Sequence, residues 1–525
     1  MGRSASLFVV WLATTPALAA QAGTTLWRPE ERVVISDMSR VDALAASEDL
    51  LYAATSGGLG VYDLRFRRWE LPVTRLDGYP PERVTVALAD PADRSVWLGT
   101  ERAVVHYVPE LQRFDRVSAP GPVHALMFDR DDPFGALYVG GRFGWRRLPR
   151  GALGLFQAMG LPPAGRRRRS IGVEEALARM PFVEARGPLA LTDERMRRYR
   201  YTAAALVPVS DDAFFGTDGR GVVRVDGATT EMEWLPFGLL DGSVGAVIAV
   251  PEGVWVGTGI GALRVGLTFV AQSVDRYLYE EGPGVTGFRF RDVRDLTGRH
   301  REIWLATDQG VVRVEPGGRA ETAFTGFGAG MGETFALAQG SAGVWVGTRR
   351  GLAFVSDEGE AHRVDDRVQD PIYALVASRD TVWVGGERGL GLSWMGSREI
   401  VRTDDMVATF ALQDPIVALT LIADTLVAVT PERIAWRAPG SEWVVERVLR
   451  GDLGQLTAVA PEAGGVWIGG VLGVAFYRFT GRQLLVFNRP GDVPGPVRDL
   501  AVDRRYLWVA TEQGLVRFLK ETLVP

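Results

Sequence analysis

The phrase V-W-V-G-T-x-x-G-L recurs, with small changes, down almost the whole chain, and nothing else constrains its fold as much. It reads L-Y-A-A-T-S-G-G-L from Leu51, V-W-L-G-T from Val96 and V-W-V-G-T-G-I-G-A-L from Val254. Later copies start at Ile303, Val344, Val382, Val466 and Leu507. The aromatic slots are Tyr52, Trp97, Tyr138, Phe214, Trp255, Trp304, Trp345, Trp383, Val427, Trp467 and Trp508, with valine filling the ninth. Their usual separation, about 40–45 residues, is the length of a propeller blade of four short antiparallel strands. One interval, Tyr138 to Phe214, spans nearly two periods. Inside it, Leu189–Tyr199 reads as a worn copy with Arg195 in the glycine place.

The rest of each blade follows from the same register. Eight residues before the aromatic slot ends a V-x-A-L run, as in Val41–Leu44, Ile372–Leu375, Ile416–Leu419 and Val497–Leu500. That run is the innermost strand and the W-x-G-T phrase the second. A two-residue turn follows, and then Gly310, Gly389 or Gly514 supplies the positive φ that a tight hairpin demands. The third strand reads G-V-V-R-V or G-L-V-R-F, and the fourth is a more polar edge strand. Period-2 alternation of β-branched and aromatic residues supports strands throughout.

The expected fold is therefore all-β, a β-propeller of eleven or twelve four-stranded blades. One ring usually holds four to eight blades, so the expectation is two tandem rings, with a single oversized ring as the alternative. The long interval between Trp255 and Trp304, with Glu280–Gly284, places the boundary. This gives a first propeller over 23–285, carrying an irregular Arg-rich insert at 151–200, and a second over 286–525. The chain finishes on a third strand, and Arg32–Ile35 is a candidate for the missing fourth. Such pairing would split the first ring in sequence, with the second inserted in it.

The L-W-x-G-T-x-x-G-L-x-R phrase resembles the propeller repeat in the periplasmic sensor regions of bacterial hybrid two-component regulators. The resemblance covers roughly residues 41 to 520 and implies a ligand-facing propeller module. Double propellers of outer-membrane assembly and secretion accessories are similar too. No kinase-like segment, helix-turn-helix pattern or long apolar helix follows residue 25.

Met1-Gly2-Arg3, the apolar run Leu7–Leu18 and the Ala-x-Ala sites before residue 22 read as a secretory signal peptide over 1–22. The run is too short for a membrane span. The expected location is periplasmic or secreted. The chain has no Cys, so disulfides, thiolate metal sites and Cys nucleophiles are excluded. A net charge of −5 argues against a nucleic-acid binder, which is expected to carry a basic face.

Function is expected where the repeat varies, since the repeated Trp slot reads as blade packing. The x of V-x-A-L is the most variable column: Asp42, Val86, His124, Ala204, Gly245, Arg294, Phe335, Tyr373, Val417, Thr457 and Arg498. Of these, Arg294, Phe335, Tyr373, Arg498, Asp42 and His124 are the candidate ligand-binding residues. Guanidinium groups suit carboxylate or phosphate, and the aromatic faces suit stacking. Hairpin residues such as Arg349-Arg350 and Glu387-Arg388 project on the same face. Only four His occur, none at metal-ligand spacing, and no hydrolase motif appears. No cofactor or metal is expected, and Asp129–Asp132 departs from a calcium loop. The expected function is binding of an envelope or extracellular glycan, or of an envelope protein. The alternatives are a propeller lyase or hydrolase, with His124 as its base, and a structural part of an export or assembly complex. Arg166–Arg169 reads as a solvated mobile loop or a docking arm for an anionic glycan or membrane surface.

Overall fold

A computed structural model describes residues 27–523. It leaves aside positions 29, 133–134, 159, 193–197, 240, 260–265, 273–276, 282–291, 300–301, 315–320, 325–331, 366, 398, 403–413, 449 and 488–490. The signal peptide expected at 1–22 and Arg195 lie outside the described residues. These residues form eleven antiparallel sheets, ten of four strands and one of five. The blades span 41–69, 84–118, 123–157, 201–235, 244–281, 293–324, 334–363, 372–402, 418–447, 456–487 and 497–519. They are numbered 1 to 11 in that order. Blade 11 takes its outermost strand from Arg32–Ile35, which pairs antiparallel with Leu515–Phe518.

The recurring phrase explains its own geometry. The second strands lie between neighbouring blades, and Gly343–Thr348 is buried along its whole length. Trp304, Trp345, Trp467 and Trp508 are almost completely buried there. The indole N–H groups of Trp97 and Trp508 donate to Asp90 and Asp503. The threonine ending the phrase is a hairpin clamp: Thr307, Thr348 and Thr511 each donate to the carbonyl three residues on. Gly310, Gly389 and Gly514 have φ of 136°, 90° and 139°, which L side chains rarely adopt.

Contacts between innermost strands divide the blades into two circuits. Blades 1, 2 and 3 follow one another, and blade 4 packs back on blade 1. There Thr202 donates to the Val41 carbonyl at 2.5 Å. Between blades 3 and 4 stand helices α1 (Val173–Arg179) and α2 (Pro181–Ala190). Ala176, Met180 and Val183 are buried against Phe215, Val223 and Val225 of blade 4. The expected worn blade copy thus begins inside α2. Blades 5 to 11 follow in order, and blade 11 returns to blade 5. The packing divides the chain between Leu235 and Val244, where the sequence reading placed the division at 285/286. The circuit split in sequence is the seven-bladed one, and the smaller circuit is inserted after its N-terminal strand.

The Arg-rich run is neither a loop nor a free arm. Arg167–Arg169 forms a fifth strand on the channel side of blade 3, against Met127–Asp129. No helix of the described residues is long and apolar enough to cross a membrane.

Candidate functional site

The variable column has a structural cause. In ten blades the innermost strand breaks register at its start, leaving one residue unpaired in a β-bulge. A bulge re-aims its side chain, and here the bulged residues stand at one mouth of each channel. They include Asp42, His124, Gly245, Arg294, Phe335, Tyr373, Thr457 and Arg498. In blades 2 and 4 the bulged residue is Thr85 or Thr202, one or two places before the expected Val86 and Ala204. Blade 9 pairs without a break, through Val417.

The six candidate residues are divided between two mouths. Asp42 and His124 belong to the smaller circuit. Asp42 is 9% exposed and bonded to Arg40 at 3.3 Å and Arg83 at 2.8 Å. His124 is exposed and forms no ion pair among the described residues. The larger circuit brings Arg294, Phe335 and Tyr373 together across blades 6, 7 and 8. The Arg294 guanidinium lies 4.9 Å from the Phe335 ring centre, and that ring is 5.5 Å from Tyr373. The Tyr373 hydroxyl donates to Glu387 at 2.9 Å. Burial, then that bond, raises the phenol's pKa. A shallow open cleft adjoins this row, lined by Asp370, Pro371, Glu387, Arg388 and Ile400 among others. Arg498 stands apart on blade 11, bonded to Glu512.

Charge at this mouth is paired blade by blade. Glu333 receives Arg294 at 2.7 Å and Arg349 at 3.0 Å. Arg388 meets Asp370 at 3.0 Å, and Arg433 meets Asp414 at 3.3 Å. Burial opposes ionisation of Glu333, but the two arginines hold its carboxyl below the ordinary range. The pairs whose arginine is solvent-facing, Arg349–Glu333 and Arg388–Asp370, contribute about 0–1 kcal/mol each. They set side-chain positions more than they hold the fold together. Nη1 of Arg294 is buried and has no hydrogen-bond partner among the described residues.

Two residues of the channel were missed by the sequence reading. Asp295 and Asp499 fill the third place of V-R-D-L, where other blades carry a small residue. Asp295 accepts the N–H of Leu296 at 2.8 Å and that of Leu337, on blade 7, at 2.6 Å. Asp499 does the same with Leu500 at 2.8 Å and Val247, on blade 5, at 2.9 Å. Each carboxylate therefore ties two blades together. Desolvation, then the charge of Asp499, pushes Asp295 up to about 8. Desolvation raises Asp499 to about 6. The repeated departure from V-x-A-L was the available signal.

A second cluster, Asp90, Asp93 and His106, has metal-like spacing. Its counter-charge is supplied by Arg150, 2.6 Å from Asp90 and 3.9 Å from Asp93. His106 is stacked on Trp97 with centroids 4.0 Å apart, and burial lowers its pKa. The group forms only when blade 2 folds and blade 3 adds its arginine.

Neither family models nor curated proteins match this sequence. Solved structures do. PorZ, a surface component of the type-IX secretion system of Porphyromonas gingivalis, is 11% identical with a TM-score of 0.56. That match covers 93% of this chain and 87% of PorZ. The extracellular domain of a putative hybrid two-component system from B. thetaiotaomicron is 13% identical with a TM-score of 0.43. It covers 90% of this chain and 61% of that one. A GH74 xyloglucanase from Xanthomonas campestris is 13% identical with a TM-score of 0.48, covering 92% and 99%. At these identities the likeness establishes the propeller fold alone.

Proposed function

We propose that this protein is an exported binding module of the cell envelope, whose seven-bladed circuit contacts a glycan or an envelope protein at its bulged mouth. The observation that supports this reading is the Arg294–Phe335–Tyr373 row beside an open cleft. It combines part-exposed aromatic faces with an arginine held in place by Glu333 and Phe335. Functional residues concentrate on variable positions of a rigid scaffold. The full-length likeness in fold to a secretion-system surface component supports an envelope location.

The test is a thermal-shift screen of the protein against neutral and acidic oligosaccharides, repeated with Phe335→Ala and Arg294→Ala. A ligand at a hundredfold excess over its Kd stabilises the native state by about 2.7 kcal/mol, and that shift is expected to vanish in both variants. A shift retained in both removes the mouth from the reading. Absence of any shift turns the reading to an envelope protein, tested by capture with the same two variants.

A further inference from the structure

Along the strand Arg167–Arg169, successive side chains face opposite sides, and their partners differ in kind. Arg169 pairs with Glu175 at 3.0 Å, and Arg166, just before the strand, pairs with Asp131 at 2.8 Å. Arg168 has no carboxylate within salt-bridge distance among the described residues. Its Nη2 donates instead to the Ala46 carbonyl on blade 1, at 3.0 Å. The side chain thus spans from blade 3 to blade 1, where the innermost strands finish, at the end of the channel away from the bulges.

The strand register sets Arg130 opposite Arg166, two positions along from Arg168 and on the same face of the sheet. The backbone N–H of Arg130 donates to the Arg166 carbonyl at 2.6 Å. The Arg130 residue is exposed and forms no ion pair among the described residues. Glu48 and Asp90 lie within electrostatic range of Arg168. Asp90 is already taken by Arg150 at 2.6 Å and by the Trp97 indole at 3.1 Å. Desolvation, then the charge of Arg130, lowers the Arg168 pKa. A guanidinium does not shed its proton to relieve such a cost. It carries five N–H donors, and the bond to Ala46 uses one.

We propose that Arg168 and Arg130 form an oxyanion site at this end of the smaller circuit, taking one carboxylate, phosphate or sulfate group. A planar guanidinium offers paired donors that match such a group, and Arg130 adds a second positive charge on the same face. The site is separate from the mouth assigned to the larger circuit.

The experiment follows melting of the full protein against inorganic phosphate and, in parallel, glucuronate, at constant ionic strength set with chloride. A saturable rise with either probe is expected. Phosphate alone marks a tetrahedral oxyanion, and glucuronate alone marks a carboxylate. Arg168→Gln should abolish the rise, Arg130→Gln should weaken the affinity about tenfold, and Arg166→Gln should leave it intact. No saturable rise with either probe overturns the proposal, as does an equal rise in Arg168→Gln. Should Arg168→Gln fail to fold, undiminished affinity in Arg130→Gln overturns it, because no bond of that side chain is lost.

Discussion

A Cβ placed on Gly469 would stand 2.5 Å from Val497 Cγ1 on the next blade, and the pattern recurs. Gly99 meets Val123 at 2.6 Å, Gly216 meets Val41 at 2.5 Å and Gly385 meets Ile416 at 2.6 Å. The glycine of W-x-G-T is therefore the point of closest approach between blades, alongside the tryptophan that the sequence reading assigned to packing. The residue type was legible, but its partner, the apolar residue that opens the next V-x-A-L run, was not. Asp295 carries a prediction at the same scale. Its folded pKa, about 8, and that of Asp499, about 6, exceed the ordinary aspartate value of about 4. The native state then holds extra protons in the window from about 4 to about 8. The stability this contributes is complete below that window and is lost as pH rises through it. Urea unfolding is expected to show a less stable protein at about pH 8 than at about pH 5, with a flatter profile in Asp295→Asn. An identical slope in that variant would show that the carboxyl does not titrate in this window.

Residues 151–200 show how an element escapes a sequence reading. The strand Arg167–Arg169 has no apolar alternation, and it exists because its backbone pairs with Met127–Asp129. A short polar strand held by main-chain bonds leaves no period to detect. The helix beside it did leave one: Val173, Ala176, Leu177 and Met180 follow helical spacing. The sequence reading treats 151–200 as an irregular insert, with a worn blade copy at Leu189–Tyr199, and assigns no helix there. Deleting residues 162–169 removes that strand and the Arg168 bond to blade 1. A loss of about 2 kcal/mol, or roughly 4–8 °C in Tm for a unit of this size, is expected by differential scanning calorimetry. An unchanged Tm would return the segment to a solvated loop.

At the scale of the whole molecule, closure rests on strands and side chains far apart in sequence. A chain starting at Ser36 lacks the outer strand of blade 11 and leaves Leu515–Phe518 as an unpaired edge. Exposed edges of this kind recruit other chains. A lower Tm and concentration-dependent aggregation are expected by size-exclusion chromatography, and a monomer of unchanged Tm would show that closure is dispensable. The blades themselves were readable because each is built from local chemistry: a threonine clamp, a glycine of positive φ and alternating apolar residues, all within one period. Which blades share a ring was not readable, because near-identical repeats carry no mark of their neighbours. Contacts such as Thr202 with Val41 and Val247 with Asp499 decide it. The same closure separates Asp42 and His124 from the row of Arg294, Phe335 and Tyr373. The sequence determined blade architecture and the variable column. The tertiary structure alone decided ring membership and the sharing of that column between two mouths, since both depend on contacts between residues hundreds of positions apart.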